Sequence, residues 1–161
     1  MKLGLAIAEV ERAERELAAE LLKVGERHRT DHDVYHLSRT LAQMCDRHLA
    51  ALATVGERNG HEVEAEPGGE RSGPLAAARE KGAELLGRRS EPGVALLRDL
   101  RRLHLLAADA SIAWVVLGQA AQAARDAELL GVVSACHPET LRQLRWTTAR
   151  LKEAAPQVLM G

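Results

Sequence analysis

Along the first third of the chain, apolar side chains return at alternating intervals of four and three residues. Leu3, Ile7, Val10, Leu17, Leu21 and Val24 follow this spacing, and Glu14 and His28 occupy two of its positions. Side chains so spaced share one face of an α-helix, because the helical repeat falls between three and four residues. The pattern predicts helix A over residues 3–27. Gly25 and the polar run after it mark the exit. Thr30 with Asp33 three residues on reads as a capping signal, and Asp31 adds negative charge where a helix dipole favours it. Helix B is predicted over 31–59, on a seam of Val34, Leu37, Leu41, Met44 or Cys45, His48, Leu52 and Val55, closed by Gly56 and the Asn59-Gly60 pair. The turn between A and B is short, which makes the two helices antiparallel neighbours.

Residues 60–92 break the pattern. The acidic, Gly- and Pro-rich stretch GHEVEAEPGGERSGP reads as a solvated connector, with Pro74 able to start a short helix through about Leu86. Helix C follows over 93–124, with Leu96, Leu100, Leu103, Ala107, Ala110, Trp114 and Leu117 on one face and Leu105, Ile112 and Val116 well round from it. Helix D is predicted over 125–154, interrupted at His137-Pro138, where proline removes a backbone donor, and stopped by Pro156. His137 reads as a cap for the restarted helix.

Composition narrows the class. Hydrophobic residues make up 46% of the 161 and charged residues 28%, while the chain holds two Trp, one Tyr and no Phe. Strand-forming residues are scarce and helix formers abundant, so an all-α fold is expected, as a single helical-bundle domain over 1–161. A formal net charge of -1 provides no positive field for phosphates, which argues against nucleic acid as a partner. From Leu103 to Ala124 there is no Lys, Arg or Glu, a transmembrane length. Asp109 near its centre argues against a membrane and for a helix buried on nearly all sides of a bundle or homodimer. Cys45 and Cys136 are too few for a disulfide framework and read as reduced thiols in a cytoplasmic protein.

Chemistry enters through the polar residues that fall on seams. Counted from the A–B turn, Glu14, Cys45 and His48 lie at nearly the same height, and Cys45 and His48, three apart, share a face. Asp109 is the only acidic residue in the apolar run of helix C and lies at a similar count from the C–D turn. One depth is thus expected to carry Glu14, Cys45, His48 and Asp109. A second constellation is His28, His32 and His36, spaced four apart, of which His32 and His36 would share one face at a metal-binding spacing. Bland readings stand beside both: a carboxylate paired within the core, a satisfied core histidine, and a polar bundle end.

Two antiparallel hairpins joined by some thirty residues resemble the ferritin-like four-helix-bundle superfamily, in which a long B–C crossover lets helices B and C run parallel. The resemblance spans nearly the whole chain. It implies a di-metal site with one carboxylate on each of two helices and a Glu-x-x-His on each of the other two. Glu14 matches the helix A carboxylate, Asp109 the helix C carboxylate, and Cys45-Asp46-Arg47-His48 the Glu-x-x-His with Cys in place of Glu. In helix D the corresponding positions, 140–143 or 142–145, hold neither a carboxylate nor a histidine. The resemblance therefore implies a divergent member with a degenerate di-metal site and no cofactor. Its function would be that of a non-catalytic structural, stress-related or interaction protein, associated as a homodimer through the surplus apolar face of helix C. The alternative is a metalloprotein holding a single transition metal ion (Fe, Zn or Mn) in the core or at the His cluster. No phosphate-binding glycine loop or nucleophile elbow suggests catalysis by another route.

Overall fold

The computed structural model describes residues 2–64, 78, 81–82 and 91–161, and the regular secondary structure among them is entirely helical. The elements are α1 (Leu3–Arg27), α2 (His32–Gly56) with one 3-10 turn at Glu57–Asn59, α3 (Pro92–Ala124) and α4 (Ala127–Met160). The short helix expected near residues 74–86 lies outside the described residues, apart from Ala78, Lys81 and Gly82, which are helical.

Cross-helix pairs fix the directions. Glu14 meets Trp114, Glu20 meets Arg102 and His28 meets Asp99, so α3 descends as α1 rises. Arg58 meets Asp126, Arg47 meets Glu139 and Arg150 meets Asp31, so α2 and α4 are also antiparallel. With α1 and α2 antiparallel across their short turn, α2 and α3 point the same way. The α1–α2 turn and the start of α3 lie at one end, hereafter the near end; the α3–α4 turn and the end of α2 lie at the other. The connection from Asn59 to Glu91 therefore joins opposite ends of the bundle.

The helix boundaries follow local chemistry. The cap of α2 is Asp31, not Thr30, its side chain accepting from Val34 N at 3.1 Å. Arg125, expected to open the last helix, instead closes α3 in the left-handed region at φ 55. Asp126 then caps α4 by accepting from Leu129 N at 2.9 Å. The predicted break at His137-Pro138 does not occur, and Pro156 does not stop the helix: both prolines lie inside α4. Each removes an N–H, but Ser134 and Pro138, and likewise Lys152 and Pro156, are exposed, so water can reach the freed carbonyl. His137 is consequently a mid-helix residue rather than a cap, hydrogen-bonded to Ser111 Oγ at 2.9 Å.

Two apolar clusters fill the interior. The far-end cluster joins Leu3, Ile7, Val10, Leu52, Val55, Trp114, Leu117 and Leu129. The near-end cluster joins Leu17, Leu21, Val24, Val34, Leu41, Leu103, Ala107 and Ala110. Helix α4 contributes unequally. Its inward seam runs Leu129, Val133, Cys136 and then Thr140, Gln143, Thr147, Arg150 and Ala154, apolar at the far end and mostly polar from mid-height on.

The bundle covers only one stripe of α3, contrary to the expectation of a helix buried on nearly all sides. Leu100, Leu103, Ala107, Ala110, Trp114 and Leu117 are fully buried, whereas Leu105, Ile112 and Val116 are 52%, 63% and 55% exposed. By length and composition α3 passes as a membrane span, with 39% of its most apolar window buried.

Close helix approach at the near end depends on Gly25. A Cβ there would collide with Ser38 Oγ. Gly25→Ala is therefore expected to destabilise the protein by about 2 kcal/mol, despite alanine's better helix propensity. Adding Ser38→Ala should recover most of the loss, since only the hydroxyl stands in the way. Urea titration of the single and double variants checks this; equal stability of the two would place the strain elsewhere.

Candidate functional site

Between the two apolar clusters lies a polar layer centred on Glu14, which has no exposed surface. Its Oε1 accepts from the indole Nε1 of Trp114 at 2.7 Å and lies 3.0 Å from His48 Nδ1. A carboxylate oxygen without a proton only accepts, so Nδ1 is the nitrogen that carries hydrogen and donates. The imidazole meets the Trp114 ring edge to face at 5.9 Å between centroids. On its other side, His48 Nε2 lies 3.6 Å from Glu139 Oε1, and Glu139 is also paired with Arg47 at 2.9 Å. A step nearer the α1–α2 turn, Gln143 Nε2 donates to the Leu41 carbonyl at 3.0 Å and to Cys45 Sγ at 3.4 Å. Four buried atoms of this layer have no hydrogen-bond partner among the described residues: Glu14 Oε2, His48 Nε2, Thr140 Oγ1 and Gln143 Oε1.

The structure thus brings together three of the four residues expected at one depth: Glu14, Cys45 and His48. Asp109 is not among them. It lies one position off the seam residue Ala110, a rotation of about 100° on an α-helix, and its half-exposed carboxylate pairs with Arg12 at 2.9 Å. Trp114 occupies the inward position of α3 at this level. The three-histidine constellation does not assemble either. His28 Nε2 turns to the buried Asp99 at 2.7 Å, while His32 and His36 are exposed and stacked with 6.2 Å between ring centroids. Among the described residues, no three His, Cys, Asp or Glu side chains are gathered as metal ligands.

Two participants escaped the sequence reading. Glu139 stands one residue before the window expected on helix D, and Trp114 was read as core although its indole N–H needs an acceptor when buried. The second signal was available: a buried Trp and a buried Glu at similar heights are natural partners.

The thiols here are not poised for nucleophilic chemistry. Burial and then the charge of Glu14 push the Cys45 thiol well above its ordinary value. The same causes, with Glu139, push Cys136 up to about 12. Both cysteines are free and buried. A thiol held protonated at neutral pH is a weak nucleophile and a poor metal ligand. A donor set of one imidazole between two carboxylates, Glu14 and Glu139, with Trp114 and Gln143 in the places of further ligands, does not fit two bridged metal ions.

Outside the layer, buried acids brace the ends. Asp99 is held by Arg27 and His28, each at 2.7 Å. Glu11 takes His61 at 2.5 Å and Arg15 at 2.8 Å, and it also accepts from Glu64 N. Burial alone would raise both carboxyls, but the hydrogen bonds and charges of these partners outweigh it and hold both below their ordinary values. A carboxyl lowered on folding contributes stability that is fully present above its unfolded pKa and is lost as pH falls through the folded one. Urea midpoints are therefore expected to fall as the pH drops below the ordinary values of 4.5 for Glu and 3.8 for Asp. Asp99→Asn should flatten that dependence; an unchanged slope would show that the Asp99 pairs with Arg27 and His28 contribute nothing to it.

Compared with known proteins, the chain matches no family model, no curated protein and no solved structure. Its described residues form an all-α bundle of four long helices around a buried carboxylate–imidazole–indole network. Its function rests on that geometry alone.

Proposed function

We propose that this chain is a non-catalytic, ferritin-like bundle whose di-metal layer has been replaced by a hydrogen-bonded network, and that it serves as a structural, stress-related or interaction protein of the cytoplasm. The observation that carries this reading is Trp114. Its indole stands inward on α3, where the ferritin-like pattern calls for a metal carboxylate, and donates to the helix A carboxylate that would otherwise face a metal. The parallel run of α2 and α3, with a connection joining opposite ends, supports the topological half of the reading. Cys45 and Gln143, bonded to one another, stand where a Glu-x-x-His bundle would supply further ligands.

A second reading is favoured by one feature: His48 Nε2, without a hydrogen-bond partner among the described residues, beside Glu139. These could take a single Fe, Zn or Mn ion. Elemental analysis of untagged protein separates the two readings. Well under one metal per chain is expected, with no rise in melting temperature on adding any of the three ions. Stoichiometric metal that disappears in His48→Ala overturns the first reading in favour of the second.

A further inference from the structure

We propose that the outward face of α3 docks a second copy of this chain, helix against antiparallel helix across a two-fold axis. This goes beyond the function proposed above and does not depend on it. Besides its buried seam, α3 carries a second stripe at alternating four- and three-residue intervals: Arg101, Leu105, Ala108, Ile112, Val115 and Gln119. Leu105, Ile112 and Val115 on it are 52%, 63% and 43% exposed. This is the spacing by which two helices interlock side chains, and Ala108 near its middle admits a close approach.

Charge sets the direction of that copy. Arg101 stands at the start of this stripe, with Arg98 and with Arg102 (itself paired to Glu20) close by, and no Lys or Arg follows until Arg125. A parallel pairing would set arginine against arginine. Turned end over end about the level of residue 110, each copy places Arg101 across from Gln119 and its arginine-bearing segment against the arginine-free half of the other. Leu105 then meets Val115, and Ala108 meets Ile112. The connector leaves the described bundle elsewhere. Glu64 is fastened to Glu11 and Arg15, and Glu11 lies nine residues, two and a half turns, from Glu20, which faces α3. The chain thus departs from the flank of α1 opposite this stripe.

Light scattering at micromolar concentration should give twice the 17.5 kDa chain mass. Ile112→Arg and, independently, Leu105→Glu should each weaken the dimer about thirtyfold or more, with unchanged helical circular dichroism because both sites are exposed. Leu22→Arg, exposed on the other flank of α1, should leave the dimer intact. A short bismaleimide should link copies of the double variant Arg101→Cys/Gln119→Cys, the native thiols being buried. It should not link copies of either single variant, whose equivalent thiols lie ~27 Å apart in the antiparallel pair. A monomer overturns the proposal, whether or not it sediments with lipid vesicles; sedimentation would assign the stripe to a membrane surface, and its failure to the connector. A dimer indifferent to Ile112→Arg, or cross-linking in a single variant, overturns it equally.

Discussion

Trp114→Ala should destabilise the protein by about 4 kcal/mol or more, the largest effect expected of any single substitution here. The side chain has no exposed surface and belongs to the far-end cluster. Removing the indole leaves a cavity, at the upper range for large-to-small changes. It also takes away one of the two donors on Glu14 Oε1. Trp114→Phe separates these effects: it restores most of the volume but not the N–H, and should cost about 2 kcal/mol. Urea or thermal denaturation followed by circular dichroism measures both. If Trp114→Phe is as stable as the parent, the indole–carboxylate bond contributes nothing, and the layer is held by packing alone.

Breaking the Glu14–His48 pair from one side should cost about 3 kcal/mol, because the remaining partner stays buried without its counterpart. His48→Leu leaves the carboxylate with the Trp114 indole as its one donor; Glu14→Leu strands both the imidazole and the indole. The double variant Glu14→Leu/His48→Leu should be more stable than the sum of the single losses by about 1 kcal/mol or more, the signature of two groups in direct contact. Strict additivity in this cycle would mean that the two side chains, though 3.0 Å apart, are energetically independent.

The helices were legible because their signal is redundant. The seam of α1, from Leu3 to Val24, repeats often enough that Glu14 could interrupt it without hiding it, and the same seam placed Glu14 inward. Cys45 and His48 followed from helix periodicity in the same way. Asp109 failed because height along a helix was considered without azimuth: the seam through Ala107, Ala110 and Trp114 passes it by. Height is also blurred in the sequence, since the counts for α1 and α2 start at the near-end turn and those for α3 and α4 at the far-end turn. Two counts from opposite ends agree only if the bundle's full length is known. That ambiguity moved the inward residue of α3 from Trp114 to Asp109 and left Glu139 just outside the window on α4. The prolines misled for a different reason. Proline's cost in a helix depends on whether the freed carbonyl can reach water, and exposure is a tertiary property that spacing alone does not report.

The division of α4 into an apolar far half and a polar near half has a kinetic consequence. Leu129, Val133 and Cys136 anchor the far half in a cluster shared with α1, α2 and α3. Thr140, Gln143, Thr147 and Arg150 offer the near half hydrogen bonds and an ion pair with Asp31, and its apolar contribution is the small Ala154 and the part-buried Leu144 and Trp146. Local opening is governed by such differences in buried apolar contact. Fluctuations should therefore peel α4 away from its C-terminal end, stopping where the aliphatic anchors begin. Backbone amides after about residue 140 would exchange with solvent through this partial opening. Those of α1, and of α4 before Thr140, would exchange only when the whole bundle unfolds.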